Sequence, residues 1–160
     1  MTNYGSEPIV FRDESFVTAT LDGKSPQLGQ TMQKGGREYV YAYNAGNNDV
    51  SPGMGMVMTS DATNYSLSST SVTSADICVG VVRNATLTTG TYGWLVRRGV
   101  TNIEMGATSG TVAAHGPVEI AADGLFVPVS NTTGNLVPAV GKALTAIVSS
   151  ASGEAYISCY

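Results

Sequence analysis

The chain has 160 residues and 42% apolar composition, enough to bury a core without metal or disulfide support and too apolar for global disorder. Its charged fraction is only 12% while glycine reaches 19 residues, which excludes the Glu/Lys/Leu/Ala palette of a helical bundle and suits short strands joined by turns. A net charge of −4 offers no general attraction to nucleic acid, and Arg97-Arg98 is the one adjacent basic pair.

Residues 1–38 hold nine of the twenty charged residues, and their apolar residues fall in small islands punctuated by Pro8, Pro26, Asp22-Gly23 and Gly35-Gly36. No island is long enough for a self-sufficient element. The segment is therefore predicted to be an extended N-terminal arm that orders on another surface, with Tyr4, Ile9, Val10, Phe11, Phe16 and Val17 as its candidate anchors. A charged start followed by an apolar core is lacking, so no signal peptide is expected. Nor does any stretch approach the ~20 apolar residues of a membrane span.

Residues 39–160 are predicted to form a β-domain. Glu38–Tyr43 alternates three tyrosines with Val40 and Ala42, the period of a strand. Met54–Thr59 is a second strand after the Pro52-Gly53 turn, and residues 61–76 read as a polar surface excursion. Residues 77–100 organise what surrounds them. The β-branched run Ile77–Val82 suits a strand buried on both faces, a polar connection follows, and Tyr92, Trp94 and Val96 then project from one face. Thr101–Met105 continues as a short strand. Val118–Ile120 and Leu125–Val129 flank Asp123-Gly124, a hairpin signal, with Pro128 favouring an edge. A last strand is expected over Ala155–Tyr160.

Compared with itself, the chain repeats: Gly55, Val57, Val79 and Gly80 recur 61 residues on as Gly116, Val118, Val140 and Gly141, and Trp94 has a near counterpart in Tyr156. This predicts two similar β-units, about 53–100 and 116–158, packed face to face.

Reactive chemistry is not evident. His115 lies in a turn-like context without a nucleophile or orienting acid, and the carboxylates Glu104, Glu119, Asp123 and Glu154 are scattered. Arg97-Arg98 reads as a strand end paired with a neighbouring acid, with an anion site as the alternative. Cys78 and Cys159 are expected as buried free thiols, a disulfide between them being the other possibility. No metal site, cofactor or catalytic set is predicted, so the chain is expected not to be an enzyme.

The order Gly116-Pro117-Val118, Asp123-Gly124 with Pro128, Val140-Gly141-Lys142-Ala143-Leu144 and Ser152-Gly153-Glu154-Ala155-Tyr156-Ile157 resembles the capsid decoration (cement) proteins of tailed bacteriophages. The pattern covers the last ~45 residues and, more loosely, residues 53–100 through the repeat. The resemblance implies an all-β fold, a small β-barrel or β-sandwich. It further implies a homotrimer on the exterior of the phage head whose partners are the major capsid protein and itself, without nucleic acid or membrane. The alternative expectation is a head-fibre or tail-associated module that binds host-surface glycans by stacking them on Tyr92, Trp94 and Tyr156.

Overall fold

The computed structural model describes residues 26–58, 66–67, 77–107, 110–129 and 139–159. Among them there is no α-helix. Ten strands within the described residues form one sheet: β1 (Thr31–Lys34), β2 (Arg37–Asn44), β3 (Gly55–Met58), β4 (Ser66–Leu67), β5 (Ile77–Val81), β6 (Tyr92–Glu104), β7 (Pro117–Ile120), β8 (Phe126–Pro128), β9 (Gly141–Ala143) and β10 (Ser152–Ser158). The main path runs β1-β2-β6-β10-β9-β7-β8, with β3 reached through β5, and every pairing is antiparallel except β2 with β4.

β6 is the spine. Its thirteen residues merge the two short strands expected over 92–105, and it is shared by three neighbours: β2 along residues 92–98, β5 at Val96, and β10 along residues 98–104. Alternation explains why it can be shared. Trp94 and Val96 pack with Tyr39 and Tyr41 on one face, while Leu95 packs with Val40, Ala42 and Met56 on the other. A third core gathers Ile103, Val118, Phe126 and Ile157 with Val57, Cys78 and Val81, so β3 and β5 lie over the sheet formed by β7–β10.

The all-β expectation holds, but the sheet is not closed into a barrel. Closure would require the outer strands to pair, and both are poorly suited to it. β1 is four residues long, and β8 ends in Pro128, which has no N–H to donate. One parallel bridge, Met105 to Phe126, touches β8 to the end of β6 without forming a ladder.

Residues 31–34, grouped with the arm by the composition shift at residue 38, are part of the sheet. Residues 31–34 pair with 37–40 through a two-residue Gly35-Gly36 turn, with φ of +56° and +73°. Those angles need glycine, which explains the pair. The Asp123-Gly124 signal likewise marks a turn, a short 3-10 segment between β7 and β8 with Asp123 and Gly124 both at positive φ.

Segments 50–93 and 112–153 carry the same bonding pattern. Val50 bridges Leu87 as Val112 bridges Ile147. The Gly53 amide donates to the Val82 carbonyl as that of His115 donates to Ala143. A Cβ on Gly93 would lie 2.7 Å from Leu87, and one on Gly153 2.6 Å from Ile147. The spacing is 62 residues at the first strand and 60 at the last, so a constant shift misaligns the ends. Met54, not Gly55, corresponds to Gly116, and Val96, not Trp94, corresponds to Tyr156.

Cys78 and Cys159 form a disulfide, with Cα atoms 5.2 Å apart. The expectation of free thiols fails because β5 and the end of β10, remote in sequence, are both held against β6.

Candidate functional site

The six candidate arm residues, Tyr4, Ile9, Val10, Phe11, Phe16 and Val17, lie outside the described residues. The remaining candidates fall into an aromatic row and a basic face.

The aromatic row follows from register. Tyr41 lies opposite Trp94 and Tyr43 opposite Tyr92 across the β2–β6 ladder. Ring centroids are 5.1 Å apart for Tyr41–Trp94, 4.8 Å for Tyr43–Tyr92 and 6.0 Å for Tyr41–Tyr92. Leu28 and Met32 cover the inner end, and the Arg83 guanidinium donates to the Tyr39 hydroxyl at 3.0 Å. Trp94 is therefore only 4% exposed, whereas Tyr92 is 45% exposed at the open end. Burial, and then the nearby Tyr92, push the Tyr41 phenol above its usual pKa.

The basic face lies on the other half of the sheet. Residues Pro117, Lys142, Tyr156 and Val100 form one row across β7, β9, β10 and β6, and Ser158, Arg98, Glu38 and Gln33 form the next. Their neighbours Ile157, Ala155 and Ala143 point into the core, so these rows face solvent. A bulge inserts Arg97 between the Tyr39–Val96 and Glu38–Arg98 pairs. Arg97 pairs with Glu38 at 3.4 Å, as expected for one member of the basic pair. Arg98 is exposed and has no ion-pair or hydrogen-bond partner among the described residues, and the same is true of Lys142.

Arg37 lays its side chain over Gly99, whose φ is +118°, and its Nε donates to the Val100 carbonyl. The result is a groove of 350 Å³ walled by the Lys34–Arg37 turn, Arg98 and Tyr156. It adjoins a second of 410 Å³ bordered by Arg97, Ala139 and Ser158, and the two share Glu38 and Arg98. Four of the chain's eight cations, Lys34, Arg37, Arg97 and Arg98, thus line these grooves although the protein is acidic overall, and Lys142 lies across from Tyr156 on β9. Only Arg97-Arg98 hinted at this, since strand register brings the others together.

His115 is exposed in a turn at φ +63°. Among the described residues, no group of three or more His, Cys, Asp or Glu side chains is placed to hold a metal ion. No helix among them is long and apolar enough to cross a membrane.

No protein-family model matches the chain, and no curated protein matches it. Among solved structures it is similar to the head fiber gp8.5 N base of bacteriophage phi29, with TM-score 0.47 and 11% identity over 75% of this chain and 94% of that one. A likeness at this level says nothing by itself about what this chain binds.

Proposed function

We propose that the chain is a structural protein of a tailed-phage virion, binding the outside of the icosahedral head as a homotrimer and cementing neighbouring capsomers without catalysis. The observation that carries this reading is the order of its C-terminal motifs, which resembles that of capsid decoration proteins. Each motif falls on a structural junction: Gly116-Pro117 opens β7, Asp123-Gly124 turns it into β8, Gly141 starts β9, and Ser152-Gly153 starts β10. The partners are the major capsid protein and further copies of the chain.

The proposed shell-binding arm is the part of residues 1–38 that precedes β1, with Tyr4, Ile9, Val10, Phe11, Phe16 and Val17 as anchors. Isolated apolar anchors joined by polar linkers suit a partner that supplies grooves or an open sheet edge. Three arms on one trimer would act together, converting weak single contacts into firm attachment.

The second reading, a head-fibre or tail-associated module that binds host glycans, is favoured by the exposed rings of Tyr92 and Tyr156, while Trp94 is too buried to stack on a sugar. Rebinding separates the two. Purified protein is expected to elute as a trimer, reattach to heads stripped of it and raise their resistance to heat. Elution as a lone subunit with no attachment to heads would reject the proposal.

A further inference from the structure

Tyr156 is 42% exposed on a sheet face whose alternate residues are fully packed, so its ring is displayed without contributing to a core. Lys142 lies directly across from it on β9, and Arg98 lies diagonally across on β6. Beside the ring, Gly36 contributes a wall with no side chain, leaving a 350 Å³ slot of small-ligand size. Its rim holds Glu38, one of whose carboxylate oxygens is engaged by Arg97.

These groups are complementary to a particular chemistry. A tyrosine ring offers an apolar face to the C–H side of a sugar. A carboxylate acceptor suits hydroxyl groups, and an unpaired guanidinium suits a carboxylate, sulfate or phosphate. An acidic peptide would satisfy the cations, yet would leave the ring unused. A neutral sugar would leave Arg98 without an anion.

We propose that the groove between the β1–β2 turn and Tyr156 binds a saccharide unit carrying an anionic substituent, with the sugar stacked on Tyr156 and the anion on Arg98. This site does not depend on the shell-cementing reading, since head attachment and sugar binding are measured separately.

The test is a titration of the full chain with a sulfated uronic-acid disaccharide, followed by backbone amide shifts. Lactose, sodium sulfate and hexaglutamate serve as comparison probes. Shifts are expected at Gly36, Arg98 and Tyr156, and Tyr156→Ala or Arg98→Gln should each weaken binding by at least about tenfold. Val148→Ala, at an exposed apolar residue that does not line the groove, should leave binding unchanged. Lactose should bind more weakly than the sulfated sugar. The proposal is overturned if the wild-type shifts map elsewhere or are absent, or if Tyr156→Ala binds normally. It is equally overturned if sodium sulfate or hexaglutamate occupies the groove as tightly as the sugar. Should a variant fail to fold, the wild-type shift map and the comparison probes decide alone.

Discussion

Cys78, on β5, is bonded to Cys159, just beyond β10, across a sequence separation of 81 residues. This joins a strand of the first repeated segment to the end of the second. Both partners sit at the rim of the core containing Val57, Val118 and Ile157. A loop of this length restricts the unfolded chain strongly, and the loop-entropy relation puts the stabilisation at about 4.5 kcal/mol. Reduction, or paired replacement of both cysteines by alanine, should therefore lower the denaturant midpoint markedly without changing the strand content of the folded state. An unchanged midpoint would show that the loop is already constrained without the bond.

Gly80 and Gly141 should be equally intolerant of a side chain. A Cβ on Gly80 would lie 2.7 Å from that of Leu95 and 2.9 Å from the Val96 carbonyl oxygen. One on Gly141 would meet the Tyr156 carbonyl and the Ile157 side chain. Because backbone atoms are involved, relief requires strand movement, and each Gly→Ala change should cost roughly 1–3 kcal/mol. Urea unfolding measures this. A mild effect at one position alone would mean that the two contacts are not equivalent.

Trp94→Ala should act on stability. The indole is 4% exposed and packs 5.1 Å from Tyr41, so truncation should cost roughly 3–5 kcal/mol. A variant that kept the wild-type melting temperature would contradict that burial.

Two deletions separate the arm from the sheet. Removing residues 2–25 should weaken attachment to heads and leave the melting temperature close to that of the full chain. Removing residues 2–37 should in addition destabilise the fold, because it takes away β1 together with Leu28 and Met32, which cover Tyr39 and Tyr41. Equal melting temperatures for the two would argue against β1 as part of the domain.

Alkaline pH should destabilise the protein through Tyr41. Its phenol has a raised pKa in the folded state, from burial first and Tyr92 second, against a reference of 10.0. The unfolded chain therefore releases this proton before the folded one does. Stability is fully present below pH 10 and declines as pH rises from there through the folded-state value. Tyr41→Phe should flatten that decline in unfolding curves recorded across the alkaline range. An unaltered decline would assign it to other groups.

The strands that carry strong local patterns could be read directly. Tyr39–Tyr43 and Tyr92–Val96 alternate along their length, Gly35-Gly36 and Asp123-Gly124 occupy turns that demand positive φ, and Pro128 marks an edge strand. Alternation and turn chemistry act within a few residues, so they need no knowledge of the rest of the chain. The repeat was visible in part through Gly80 and Gly141, each of which lies close to the following strand.

Long-range pairing determined the rest. The sequence comparison matched Trp94 with Tyr156, 62 residues on, but the loop after β5 is a residue shorter in the second copy. In register, Trp94 is buried and Tyr156 displayed. The Cys78–Cys159 bond, the separate fates of Arg97 and Arg98, and the placing of Lys142 beside Tyr156 all depend on which strands become neighbours. Sequence alone determined that this chain would form strands and where many of them turn. Only the tertiary structure decided which side chains are covered and which remain together at the surface, because burial is set by the strand that pairs alongside, and that strand is often sixty residues away.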